Sequence, residues 1–297
     1  MKYLFILNPK SGKKYKKENI IKLIVQRFKE TNHTYEFVFT TGPREATGLA
    51  REGVNSTYDI ITAVGGDGTV NEVARGLVQK NCALGIVPLG SGNGLARSFN
   101  IPLKIENSIE MLANPNITSV DIGKVNNHYF FGVCGIGLDA NIGKKFQEYG
   151  KRGPLPYFII GVKEYMRYTP DIYIIKSKML NIEIKPLLIT VANTSQYGNG
   201  AKIAPQADYQ DGTLDICILY KMPIIKALYY FIKLFNGTIH TIPYYESFKA
   251  KSLQIILSKE QGIIHTDGEP YMTDNPLNIK ILEKALNICT PGSGSLL

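Results

Sequence analysis

One junction constrains the fold more than any other feature. Residues 59–64 form an apolar run that enters Gly65-Gly66-Asp67-Gly68 without a spacer. Residues 69–79 then read as a helix, with Thr69 predicted as its N-cap. A strand that turns into a helix within a few residues belongs to a βα unit, because a hairpin would return at once as a second strand. The pattern recurs. The apolar run 3–7 stops at Asn8-Pro9 and is followed by an amphipathic helix over 16–30, marked by Ile20, Ile21, Ile24, Val25 and Phe28. Residues 35–40 are β-rich and 46–53 read as a short helix. Residues 84–88 lead into Gly90-Ser91-Gly92-Asn93-Gly94, with a helix from Leu95. Strands alternating with helices predict an α/β domain, a parallel sheet covered by helices.

Near Pro115 the pattern changes. Residues 117–125, 129–134, 187–191, 214–219, 253–257, 263–266 and 279–282 read as strands, punctuated by Asn, Gly, Asp and Pro. Helices are expected only around 157–168 and 224–235. This predicts a mainly antiparallel, β-sandwich-like second domain. The expected domains are 1–118 and 119–297, the C-terminal tail returning to the first. A chain of 297 residues is long enough for both.

Composition narrows the partners. The chain carries 34 Lys and Arg against 25 Asp and Glu, a net charge of +9, which favours an anionic partner. At 44% hydrophobic it is not a disordered chain. Its four cysteines form no CxxC pair, which argues against a disulfide scaffold or zinc site and fits a reducing compartment. No apolar run approaches the ~18–20 residues of a membrane span, and 3–7 is too short for a signal-peptide core. An intracellular, soluble protein is expected. The basic residues are dispersed and carry no nucleic-acid motif.

The chemistry concentrates in loops at strand ends. Glycines at 65, 66 and 68 would let backbone N–H groups approach a phosphate, and the start of the next helix adds partial positive charge. A carboxylate in such a loop suggests a mediating cation, so Asp67 points to Mg²⁺. In an open parallel sheet ligands sit beyond the carboxyl ends of the strands. Four loops emerge there: Asn8-Pro9-Lys10-Ser11-Gly12, the Thr40-Thr41 turn, the Gly65 loop and the Ser91 loop. Together they read better as a nucleotide cradle than as four ordinary turns. Neither a P-loop nor the dinucleotide fingerprint fits them. Gly135-Ile136-Gly137-Leu138-Asp139-Ala140 matches that fingerprint loosely and reads as a tight turn. The histidines lack metal spacing. Asp267-Gly268-Glu269 taken alone reads as a hairpin turn; in an extended segment Asp267 and Glu269 would share a face. Residues 223–235 are apolar nearly all round, with Lys226 and Lys233 on one face. They read as a core helix whose lysines reach solvent, the other reading being a surface helix that dips into lipid. Lys10, Lys13, Lys14, Lys16 and Lys17, and again Lys144, Lys145, Lys151 and Arg152, form basic runs that are either a solvated face or an attraction for ATP or acidic headgroups.

Asn8-Pro9-Lys10-Ser11-Gly12, Gly65-Gly66-Asp67-Gly68-Thr69-Val70-Asn71-Glu72, Pro88-Leu89-Gly90-Ser91-Gly92-Asn93 and Asp267-Gly268-Glu269 occur in an order that resembles the diacylglycerol/sphingosine lipid kinase family, its soluble bacterial members above all. The resemblance implies an NAD kinase/diacylglycerol kinase-like α/β domain, a β-sandwich domain, and a lipid kinase using ATP and Mg²⁺. It implies ATP contacts at Asn8, Pro9, Lys10, Ser11, Gly12, Thr40, Gly65, Gly66, Asp67, Gly68, Thr69, Val70, Asn71 and Ser91. Catalytic roles fall to Asp67 and to Glu269, the general base. Asp211, with the carbonyls of Asp208 and Thr213, would hold a structural Mg²⁺, with Asp121 tied into the same network. The acceptor would be a diacylglycerol or sphingoid-type lipid at the membrane, reached from the cytoplasm by peripheral contact, and a homodimer is expected. Two other readings compete: an NAD kinase-like enzyme for a soluble acceptor, and a catalytically silent nucleotide-binding regulator.

Overall fold

A computed structural model describes residues 1–12, 16–149, 154–178 and 180–292, with no side-chain description for 154–158. Lys13, Lys14, Lys151 and Arg152 lie outside the described residues. The chain divides into two compact units, one of Met1–Val120 with Lys284–Leu297, the other Asp121–Glu283.

The first unit is built from four βα units. Strands β1 (Lys2–Leu7), β2 (Thr34–Phe39), β3 (Ile60–Gly65) and β4 (Ala83–Pro88) alternate with helices α1 (Lys17–Phe28), α2 (Glu45–Asn55), α3 (Asp67–Leu77), α4 (Gly94–Ser98) and α5 (Ile105–Ala113). The sheet order is β2-β1-β3-β4, all parallel. Residues 287 and 288 of the last strand add to the free side of β4, also parallel. Both β3 and β4 are buried along their whole length, as strands covered on two faces must be. Tyr3 and Phe5 meet Phe28 edge-on with centroids 4.9 and 5.4 Å apart, and the Tyr3 hydroxyl donates to the Leu112 carbonyl at 2.8 Å. Each such buried ring contributes about 1.5–3 kcal/mol. Leaving β1 the chain crosses first to β2 and then to the opposite side as β3. The β1/β3 gap is therefore a topological switch point.

The second unit pairs two antiparallel layers. One runs β12 (Tyr245–Ala250), β11 (Leu214–Leu219), β10 (Leu188–Ala192), β7 (Val133–Gly137), β14 (Gln261–Thr266), β15 (Glu269–Asp274). The other joins β16 (Leu277–Thr290, to Glu283 in this unit), β13 (Ser252–Leu257), β8 (Tyr173–Lys176) and β9 (Asn181–Ile184). Strand β5 (Asn116–Val125) pairs with the short β6 (His128–Phe130). Ile136, Ile189, Ile216 and Ile264 of the first layer share a core with Ile175, Leu253, Ile255 and Leu277 of the second. This is the expected sandwich.

Three expectations need correction. The glycines at 135 and 137 do not make a tight turn: they lie in β7, which runs straight into a helix, α6 (Leu138–Tyr149). Helix α3 starts at Asp67 with Gly66 as its N-cap residue, so Thr69 sits in the first turn and caps nothing. The apolar helix α8 (Ile224–Phe235) is not a core helix, because none of its residues is buried. Helix α7 (Pro154–Arg167) completes the unit.

Candidate active site

The switch point carries the first group of residues. The Asn8 amide N–H donates to the Val64 carbonyl at 3.1 Å, which joins the ends of β1 and β3. Its side-chain Nδ2 donates to Thr69 Oγ1 at 3.0 Å, and its Oδ1 accepts the Lys10 amide at 2.9 Å. Thr40 donates its amide to the Leu7 carbonyl at 2.9 Å, placing the end of β2 beside them. A cavity of about 190 Å³ opens here, lined among others by Asn8, Lys10, Thr40, Gly68 and Thr69. It lies within the first turn of α3, the electropositive end of that helix. Glu72 lines the cavity, and Glu45 braces two residues that do, Thr41 and Gly42. Glu45 Oε2 accepts the amides of Thr41 and Gly42, which hold it below the usual carboxylate range. Glu72 accepts the amides of Arg44 and Ala46. Neither role was legible as a motif.

The glycines act through close backbone approach. A side chain at Gly65 would lie 2.6 Å from Thr69 Cβ, and one at Gly90 would lie 3.0 Å from the Gly66 Cα. The two loops therefore touch backbone to backbone, and only glycine fits the contact. Gly12 alone among the glycines of these three loops takes a positive φ, +68°.

Asp67 has a protein partner. Its Oδ1 accepts the Gly94 amide at 2.6 Å and its Oδ2 the Asn93 amide at 2.9 Å. The carboxylate thus clamps the Ser91 loop and the start of α4, which supplies a reason for an acid among glycines that needs no cation. Asn93 braces the loop again, exchanging hydrogen bonds with Gly90. Ser91 and Pro9 are exposed, and Ser11 is half-buried. Val70 and Asn71 are buried in α3 and present no side chain to the cavity; among the described residues Asn71 Oδ1 has no hydrogen-bond partner.

Glu269 lies in the second unit, as the exposed first residue of β15. Asp267 and Gly268 have φ of +50° and +83° and form the two-residue turn of the β14–β15 hairpin. Asp267 and Glu269 therefore do not share an extended face. The Asp267 carboxylate accepts three amides, Phe131 at 2.9 Å, Gly132 at 2.7 Å and Val133 at 3.0 Å. A buried pair supports the turn from the other side. The Gly268 amide donates to His265 Nδ1 at 3.3 Å, so the ring proton sits on Nε2 and faces Asp139 Oδ2 at 3.2 Å. Tyr197 donates to the same oxygen. A side chain at Gly135 would strike both Asp139 and His265 at 2.1 Å, which explains the glycine at that strand position.

The Asp211 carboxylate, expected to hold a structural metal, has protein partners. Asp211 Oδ1 accepts the Thr213 amide at 2.9 Å and hydroxyl at 2.6 Å, while its Oδ2 pairs with the Lys249 ammonium. Lys249 also lies 3.5 Å from Asp215. A cation already occupies the position between these carboxylates, and it is a side chain. Burial pushes the Asp211 carboxyl up, but Lys249 and Thr213 outweigh it and leave it lowered; burial leaves Asp215 raised. Asp208 Oδ1 accepts the Gln210 amide at 3.0 Å. Among the described residues no group of three His, Cys, Asp or Glu is arranged for a metal. Asp121, buried, accepts the Gly212 amide at 2.8 Å and so does join this loop. Lys249 was missed because it faces Asp215 across β11 and β12, and so reaches Asp211, in a register the sequence does not disclose.

Residues 2–125 match the diacylglycerol kinase catalytic domain, and 132–290 match the YegS C-terminal NAD kinase beta sandwich-like domain. A diacylglycerol kinase of Bacillus subtilis (strain 168) is 32% identical over 225 residues, 73% of each chain. One of Staphylococcus haemolyticus (strain JCSC1435) is 28% identical, covering 96% of this chain and 87% of the relative. A crystal structure of a diacylglycerol kinase from Bacillus anthracis str. Sterne has the same fold, with a TM-score of 0.78 at 22% identity over 98% of this chain and 97% of its own. A second structure from that organism reaches 0.81 at 25% identity, over 99% and 98%.

Proposed function

The chain belongs to the diacylglycerol kinase family, and from that membership we propose that it transfers the γ-phosphoryl group of ATP, taken up as its Mg²⁺ complex, to the hydroxyl of a lipid, a diacylglycerol or sphingoid-type lipid. The observation that carries the nucleotide half is the switch-point cavity. At about 190 Å³ it is smaller than a typical small-molecule site of ~300–1,000 Å³, so it suits the phosphates of a nucleotide and not the whole of it. Its floor is the start of α3, its edge carries Lys10, and Asn8 locks Thr69 in place.

Phosphoryl transfer asks a protein mainly for position and charge stabilisation. The start of α3 and Lys10 hold negative phosphate oxygens. Mg²⁺ bound to the nucleotide would supply charge withdrawal from the transferring group. The acceptor's O–H bond breaks as its oxygen bonds to the γ-phosphorus, and ADP leaves. We assign the proton to Glu269, whose carboxylate is exposed at the start of a hairpin arm anchored by Asp267 and His265.

The test is a mixed-micelle assay with radiolabelled ATP and a lipid panel, beside NAD as acceptor, with products identified by mass spectrometry. A phosphorylated lipid is expected; label in NAD alone, or in nothing, defeats the proposal. Glu269→Gln is expected to lower kcat by ~10²–10⁴-fold while ATP still binds. Unchanged turnover removes Glu269 from the role of base.

A further inference from the structure

Helix α8 is apolar on both faces. Ala227, Tyr230 and Leu234 pack inward against a buried cluster that includes Ile203 and Ile239. The opposite side carries Ile225, Tyr229 and Ile232, 79%, 70% and 60% exposed, with Leu228 and Phe235 beside them. The spacing 225, 228/229, 232, 235 is a continuous stripe along one helix face. An exposed stripe of this size marks an interaction surface.

Charge identifies what covers it. From Ile216 to Tyr245 the chain has no Asp or Glu, and its lysines are Lys221, Lys226 and Lys233. Lys226 and Lys233, one heptad apart, flank the stripe on a single side. They are braced there by hydrogen bonds to the Tyr244 hydroxyl at 3.2 Å and to Thr241 Oγ1 at 2.6 Å. An apolar stripe with a basic margin and no acid is complementary to a bilayer bearing anionic headgroups, with the side chains at acyl depth and the ammonium groups at headgroup level. A second copy of the chain fits less well, because a two-fold contact through this face would bring equal lysine margins together.

We propose that the outward face of α8 docks the protein on anionic membrane. The choice of occupant rests on the lipid-kinase reading, since an acceptor dissolved in a bilayer requires the enzyme to reach one. The test uses the full chain and sedimentation with vesicles of phosphatidylcholine alone or with 30% phosphatidylglycerol. Ile225→Glu/Ile232→Glu, placed on exposed positions, is expected to lower partitioning onto anionic vesicles at least tenfold. Lys226→Gln/Lys233→Gln is expected to lower it about 30-fold at low salt, converting ~1 kcal/mol per lysine. Both variants should phosphorylate a water-soluble short-chain diacylglycerol within about twofold of the parent rate. Vesicle binding that is absent in the parent, or unchanged in the first variant, overturns the proposal. So does a halved mass in light scattering with vesicle binding intact, which would make the face a dimer contact. If the variants lose vesicle binding and no lipid is phosphorylated in any form, docking stands and the kinase reading falls.

Discussion

Asp67 and Asp267 sit in glycine bends of separate units and do the same work by different means. Asp67 opens a helix and takes two amides from a loop 26 residues on; Asp267 tops a hairpin and takes three from a strand junction more than 130 residues back. Both explain an acid among glycines by backbone amides that need an acceptor. The difference lies in what each holds. Asp67 holds the Ser91 loop to the start of α3, whereas Asp267 holds the turn from which Glu269 projects. A carboxylate in a glycine bend is therefore weak grounds for a metal until its protein partners have been counted.

The largest effect on stability is expected at Asp267. Asp267→Ala leaves three amides without their acceptor and should cost ~3 kcal/mol of stability in denaturant titration. It should also lower kcat tenfold or more, with KM for ATP unchanged, because it loosens the turn and not the cradle. An unchanged midpoint would mean that water satisfies those amides and that the parallel with Asp67 is superficial.

Asp67 comes next. Asp67→Ala should abolish Mg·ATP-dependent activity and cost ~2 kcal/mol, one amide fewer. Asp67→Asn separates the two possible roles. An amide oxygen can still accept from Gly94 or Asn93, so about half the lost stability should return. The Mg²⁺ concentration for half-maximal rate at saturating ATP should not move. A shift in that concentration would show the carboxylate holding the metal, and the comparison with Asp267 would break.

Legibility followed the same division between local and distant contacts. The βα alternation could be read because β1, β3 and β4 are short apolar runs closed by Asn, Pro or Gly, and the four loops were placed at one sheet edge by that reading alone. Strands β9, β12 and β15 stayed hidden because they are half-exposed and mix Glu, Ser, Lys and Asn with apolar residues. Helix α6 stayed hidden behind Gly137, which looks like a turn residue but closes a strand. Helix α8 misled because all-round hydrophobicity normally means burial. The loops at the strand ends were legible; their internal bonding was not. The Asp67 clamp, the Asp139–His265 pair and the Asp211–Lys249 pair each join residues far apart in the chain, and no local pattern encodes them.

The smallest effect extends the comparison to a third acid. Asp211 also grips an amide of its own loop, and it holds a lysine besides. Lys249→Met leaves Asp211 and the raised Asp215 facing each other without a cation. The pair is partly exposed and screened, so the loss at pH 7 should be about 1–2 kcal/mol. The sign with pH follows from the directions already given. Asp211 is lowered in the parent, so its contribution is present above its unfolded value and lost as acid protonates it. In the variant both carboxyls rise, so the deficit should be full near neutrality and shrink as pH falls toward 4. Thermal melts across that range check this, repeated with Mg²⁺ and no nucleotide. The parent should be insensitive to the ion because Lys249 already fills its place; a parent midpoint that climbs with Mg²⁺ would return the site to a metal.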